Sequence, residues 1–387
     1  MIKISFVGDL MCEKEQLYAN ETNGDYDFNP IFSSIKSLFK TSDYVVGNLE
    51  TPIAGEEMRY TNHKWSFNSP IEYAEAVKEA GFNLVSTANN HCLDRGVLGV
   101  VSTLNNLDKI NIEHTGTFRS ESERNTIFIK EIDGIKFAFL SYTYGTNASF
   151  NNYYLDKSNA FLVNLYRSQE VLKKRYSSRI LKKLYRYKMK FDEKIPFNSF
   201  INPYLNQLDE DIKKAKDQAD IVIMLMHSGG QYNIIPDKWT CRLQDYMIKK
   251  GVDVVVGCHP HVVQKGLLYN NRQFGFYSLG NFCSYPGSET SGNEGIESLS
   301  EYSIILHLFI DSTKKSVDKI VFQIAKSVVG KDGRANIYPL FDLIQRENSE
   351  TKKRDLINHN KLIFDRFMGA YNKPIVPQEE YVFYSKE

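Results

Sequence analysis

The sequence predicts a mixed α/β domain built in layers, and three observations predict it. Short β-type runs alternate with helix-type runs through the first two thirds of the chain. β-type runs then follow one another in the last third. The composition, 42% hydrophobic and 25% charged over 387 residues, is that of an ordinary globular protein. It excludes a disordered or fibrous chain, and the length allows a real core without covalent staples.

The elements follow in order. Residues 2–7 form the first strand. Residues 29–40 read as a helix, with Ile31, Ile35, Leu38 and Phe39 on one face. A strand follows at 43–46. Ser69-Pro70-Ile71-Glu72 reads as a capping box with proline in the first turn, and Gly81 closes the helix it opens. A strand at 83–87 and a helix at 96–110 come next. Runs 127–132 and 135–142 pair as a hairpin around Asp133-Gly134. Helix 209–219 leads to strand 221–226, and helix 237–250, ending at Gly251, leads to strand 253–256. Strands at 274–279, 302–310 and 317–325 precede a last helix at 351–367. The expected organisation is one domain over 1–340, an insertion near 150–203, and a helical tail over 341–387 packed on it or on a second subunit.

The net charge of +1, from 48 basic and 47 acidic residues, argues against a globally basic nucleic-acid binder. Charge is nevertheless concentrated locally. Arg167 to Lys190 holds ten Lys/Arg and one acid, Glu170, with Leu172, Tyr176, Ile180, Leu184 and Tyr187 at helical spacing. One reading is the solvated face of an inserted basic helical hairpin; the other is a contact site for an anionic polymer or a membrane surface. Tyr166, Tyr176, Tyr185 and Tyr187 could stack bases, but they fall partly at helix-core spacing, which disfavours nucleic acid as a partner. The opening apolar run is too short for a signal peptide, and no stretch reaches the roughly 18 apolar residues of a membrane span. Five cysteines at irregular spacings do not suggest a disulfide framework. The expectation is a cytoplasmic protein, membrane-associated at most peripherally.

Polar residues cluster where predicted strands end. Gly8-Asp9 follows the first strand and Gly47-Asn48-Leu49-Glu50 the second. Asn89-Asn90-His91-Cys92-Leu93-Asp94 follows the third, His227 ends strand 221–226, and Gly257-Cys258-His259-Pro260-His261 follows 253–256. In open α/β sheets the carboxyl ends of the strands form the ligand crevice. Five loops would thus deliver Asp, Glu, Asn and His to one rim. These donors suit Mn, Fe or Zn, and a pair of such ions could polarise a phosphoryl or carbonyl oxygen and activate a bridging water.

The blocks GDLM (8–11), GNLE (47–50), ANNHCLDRG (88–96), HSGGQYN (227–233), GCHPHVVQ (257–264) and SLGNF (278–282) resemble the CapA-type poly-gamma-glutamate synthesis proteins. These in turn resemble the calcineurin-like metallophosphoesterase superfamily. The resemblance implies a four-layer α-β-β-α sandwich holding two divalent ions between packed sheets. Carried over residue by residue, it makes Asp9 a metal ligand and Glu50, or alternatively Asn48, the second-strand ligand. It makes Asn90 a ligand and His91 the adjacent catalytic histidine. His227 and His259 would bind one ion and His261 the other. Asp94 would orient His91 or serve at a helix N-terminus, and Asn281, with Asn48, would line the substrate pocket. Two positions depart from the superfamily: Met11 stands where a histidine is usual, and GNLE replaces a Gly-Asp pair, which bears on the second ion. The implied activity is hydrolysis of a phosphoester or a glutamyl amide through a metal-bound hydroxide. The implied partners are an anionic polymer or phosphorylated substrate and the membrane-bound capsule machinery. The competing reading is a non-catalytic assembly factor that binds anionic polymer.

Overall fold

The computed structural model describes residues 1–63, 65–167, 169, 180, 183–184, 187, 202–270, 272–287, 299–369 and 375–386. Most of the expected basic hairpin therefore lies outside the described residues.

Two sheets face each other. The larger, of nine strands, runs Ala335–Pro339, Ser316–Val329, Tyr302–Asp311, Ile2–Leu10, Tyr44–Leu49, Leu84–Ser86, Glu113–Thr115, with Asn281–Cys283 also paired to the first strand and Tyr381–Ser385 to Ser316–Val329. The smaller runs Gly266–Asn270, Gln273–Phe276, Val254–Cys258, Ile221–His227, Ile135–Thr143, Phe128–Ile132. In the larger sheet Ile2–Leu10, Tyr44–Leu49, Leu84–Ser86 and Glu113–Thr115 run parallel and the strands from Tyr302 on pair antiparallel. In the smaller sheet the four central strands are parallel and antiparallel partners close both edges.

The two-residue period of a strand assigns the layers. Ile2, Ile4 and Phe6 point into a core shared with Phe137, Phe139, Ile221, Ile223, Leu225, Val254 and Val256 of the other sheet. Val7 and Val45 point the opposite way, against Tyr73 and Val77 of the helix Ile71–Glu79. On the smaller sheet Val222, Met224 and Met226 meet Leu208, Ile212, Leu243 and Met247 of the helices Pro203–Gln218 and Lys238–Lys250. The result is a mixed α/β arrangement of two sheets sharing one core, with helices packed on residues that face away from it.

Local chemistry explains most boundaries. Asp133 (φ 47°) and Gly134 (φ 75°) make the tight hairpin turn. Asp237 caps its helix by accepting from Trp239 and Thr240, and Gly251 ends it in the left-handed conformation. Two expectations fail. The span 29–40 is a 3-10 turn, Asn29–Phe32, then a short helix, Lys36–Phe39. Ser33 and Ser34 are weak helix formers, and breaking the helix there buries Ile31, Phe32, Ile35 and Phe39 together. Ser69 does not cap: its hydroxyl lies 2.8 Å from Thr51 Oγ, and Pro70 occupies the N-cap position. In the C-terminal segment Leu340, Ile344, Ile363 and Phe367 join the core between the sheets, and the strand Tyr381–Ser385 follows the helix Glu350–Met368. Among the described residues no helix is long and apolar enough to cross a membrane.

Candidate metal centre

Strand register brings the polar loops together. In the larger sheet Asp9 pairs with Asn48 on one side and Asn281 on the other. In the smaller, His227 stands between Thr143 and Cys258. Two glycines allow the strand ends to close on neighbouring backbone. A Cβ on Gly8 would fall 1.8 Å from the Gly280 carbonyl oxygen, and one on Gly257 2.1 Å from that of Tyr277. The turn after Cys258 holds His259 at φ 100° and His261 at φ 59°. Such conformations cost about 1–3 kcal/mol each and persist where the surroundings over-determine them.

Two groups of ligand-type atoms result, each within 4.8 Å: Glu50 with His227 and His259, and Asp9 with Glu50 and His261. Glu50 belongs to both. All five residues are buried. Asn48 Nδ2 donates to Asp9 Oδ1 at 2.7 Å and lies 3.2 Å from His227 Nδ1, so Asn48 links a member of each group. Asn90 Oδ1 is 2.6 Å from His227 Nε2. Asn281 Oδ1 accepts from His261 Nδ1 at 2.9 Å.

Electrostatics separate these groups. Burial pushes the Asp9 carboxyl up, but the hydrogen bond and charge of His261, with His227 and Asn48, outweigh it and hold it at about 2. Burial, then the charge of Asp9, pushes Glu50 well above the carboxylate range. Burial holds His227 down at about 3. Burial, then the charges of His227, His261, His91 and Arg167, holds His259 well below the imidazole range. Neutral imidazoles are the ligand form.

The side chains fit divalent cations. Both Glu50 oxygens, His259 Nδ1 and Asn90 Nδ2 are buried with no hydrogen-bond partner. Buried polar atoms are otherwise almost always satisfied. Carboxylate and imidazole around such orphans are donors suited to Mn, Fe or Zn. Cys258 belongs to neither group, and burial, then Asp9 and Glu50, raises its thiol well above the usual range. Met11 lies in the core, where its backbone oxygen accepts from Tyr73.

His91 stands beside the centre without joining either group. Its Nδ1 donates to Asp94 Oδ2 at 2.7 Å, and Asp94 also accepts from Phe67 N and Asn151 Nδ2. This fixes the tautomer and leaves Nε2 as the unprotonated nitrogen of the neutral ring. Asp94 therefore backs His91, while Arg95 takes the N-cap position of the helix Gly96–Lys109.

Three contributors escape a motif reading. Tyr144, in the loop after the strand Ile135–Thr143, lays its ring 4.5 Å from His259. Arg167 stacks on Tyr144. Glu13, which burial pushes up to about 7, accepts from Tyr285 N. Tyr144 follows a strand end like the other loops, and that position was its only sequence signal.

Fold and site together define a layered α/β protein with a buried carboxylate–imidazole centre between its two sheets. The chain belongs to the family described as bacterial capsule synthesis protein PGA_cap, whose model matches residues 3–286. It is similar to the capsule biosynthesis protein CapA of Bacillus anthracis, 27% identical over 74% of this chain and 60% of that protein. It is likewise similar to the PGA biosynthesis protein CapA of Bacillus subtilis (strain 168), 28% identical over 74% and 64%. The chain thus spans under two thirds of the length of these relatives. A solved structure described as a hypothetical protein from Thermus thermophilus is similar over 87% of this chain and 98% of its own, at 15% identity and TM-score 0.37.

Proposed function

We propose that this protein is a metal-dependent hydrolase of capsule or polyglutamate biosynthesis, acting on a phosphoester or a glutamyl amide. One observation carries the reading: Glu50, shared by two ligand groups, has both oxygens buried and unpartnered. Asp9, Glu50 and His261 would hold one divalent ion, and Glu50, His227 and His259 the other, with Asn90 beside His227. Bound there, such ions would supply Lewis-acid polarisation and an activated water. The protein's own contribution is positional. Asn48 aligns Asp9 and His227, Asn281 aligns His261, and the low-dielectric interior strengthens every interaction in the centre. His91 Nε2, aimed by Asp94, is placed to give a proton to a leaving group or to stabilise its charge.

The second reading is an assembly factor that binds anionic polymer without turning it over. The basic run that Arg167 opens in the sequence favours it. Metal content of protein purified without chelator, measured beside His259→Ala and His91→Ala, tests both. The hydrolase reading expects about two ions per chain, fewer in His259→Ala, and full metal without turnover in His91→Ala. No metal after soaking in manganese supports the assembly factor.

A further inference from the structure

We infer that Arg167 is the anion-recognition residue at the mouth of the centre, pairing with a carboxylate or phosphate oxygen of the bound molecule. Three observations meet there.

The first is fixed placement. Tyr166 N donates to Thr143 O at 3.0 Å, which ties the chain just before Arg167 to the strand end next to His227. Tyr166 is buried and stacks on Tyr142. Just after Arg167, Gln169 donates to Thr146 Oγ1 and accepts from Leu155 N, both at 2.6 Å. The chain is held before Arg167 through the Tyr166 backbone and after it through the Gln169 side chain.

The second is the stack. The guanidinium carbon lies 4.8 Å from the Trp239 ring centre and 5.5 Å from that of Tyr144. Tyr144 in turn lies 4.5 Å from His259 and 6.4 Å from His227. A guanidinium held over ring faces uses its charge there and keeps N–H groups able to donate to an oxyanion.

The third is the missing counter-charge. Among the described residues no carboxylate pairs with Arg167, whereas Arg119 and Arg124 each have acidic partners. Its Nε is buried without a hydrogen-bond partner. Such a group is costly in the unliganded state and is satisfied when a ligand supplies the oxygens. The planar two-donor edge selects planar or tetrahedral oxyanions over neutral amides, which a lysine would do only as a point charge.

The inference deepens the proposed function and rests on it for one point only: that the anion belongs to a molecule held at the metal centre. It narrows the substrate class to one with a negative group close to the bond presented to the metals. It also gives the basic run a starting point at the site itself.

The test is calorimetric binding to the full chain, metal-free and manganese-loaded, for wild type, Arg167→Gln and Arg167→Lys. The probes are inorganic phosphate, a short glutamyl peptide and its all-glutamine counterpart. Wild type should prefer an anion over the glutamine peptide. Arg167→Gln should weaken that anion about tenfold or more, and Arg167→Lys should recover part of the loss. Loss for phosphate alone, or for the glutamyl peptide alone, names the source of the oxyanion. Equal anion binding by wild type and Arg167→Gln overturns the assignment, as does a wild type without anion preference. Metal content of all three proteins separates the two readings. Arg167-dependent binding in a wild type that takes up no metal sinks the metal reading and leaves Arg167 standing. Full metal with no Arg167 dependence does the reverse.

Discussion

The two sheets bring different chemistry to one centre. The larger supplies oxygen: Asp9, Asn48 and Glu50 stand at or just past the ends of its strands, and Asn281 opens the strand Asn281–Cys283 beside Asp9. The smaller supplies nitrogen: His227 ends one strand, and His259 and His261 follow the next. Each ligand group draws on both sheets, two imidazoles with one carboxylate in one case and two carboxylates with one imidazole in the other. Neither group is complete within one sheet. The difference teaches that this centre is a product of sheet packing, and that its two halves should differ in the metals they prefer.

The largest expected effect comes from removing what the halves share. Glu50→Gln should reduce bound metal from about two ions per chain to near none, read by elemental analysis. Retention of one full ion would show that Glu50 does not bridge.

Splitting the halves should cost one ion each. His261→Ala leaves the nitrogen-rich group and His227→Ala the oxygen-rich one. In a zinc–manganese competition the first variant should keep proportionally more zinc and the second more manganese. Equal ratios would mean that the halves are not distinct.

The sheets can also be compared through the glycines that close them. Gly8→Ala and Gly257→Ala would each drive a methyl into a carbonyl oxygen. Each should destabilise by about 3 kcal/mol, measured by urea unfolding of metal-free protein. A loss below about 1 kcal/mol, the centre of ordinary point mutations, would show that the strand ends yield.

The smallest effect over the pH range to be tested lies away from the centre, in the larger sheet. His307 is buried with Nδ1 2.7 Å from Ser5 Oγ, and burial, then the charge of Lys3, holds it down at about 3. The unfolded chain takes up this proton near pH 6.5, so the folded state binds fewer protons between about 3 and 6.5. Stability should be fully present above that window and fall by about 1.4 kcal/mol per unit as pH drops through it. His307→Asn should flatten this slope in urea midpoints taken at pH 7.5 and 5.5. An unchanged slope would assign the acid sensitivity elsewhere.

Much of this was legible in the residues because strands and their ends are local. Ile4 and Phe6 alternate with Ser5 and Val7, and Asp133-Gly134 allows one turn. Asp9, Glu50, Asn90, His227, His259 and His261 each follow a β-run, so their convergence was readable from the rule that strand ends form the crevice. The span 29–40 misled because its apolar spacing fits a helix, while two serines and the demands of the core favour tighter turns. Ser69 misled because a capping residue is recognised by spacing, yet Thr51, eighteen residues earlier, captured its hydroxyl.

The sequence by itself determined the layered α/β class, the strand-end loops and the residue types that meet there, since periodicity and turn chemistry act over a few residues. Only the tertiary structure decided that Glu50 is common to both groups, that Asn48 hydrogen-bonds to Asp9 beside His227, and that Arg167 lies over Tyr144. Those facts depend on distances between residues far apart in the chain, as Asp9 and His259 are at 250 positions. Such distances are set by how two sheets pack, and no local pattern encodes them.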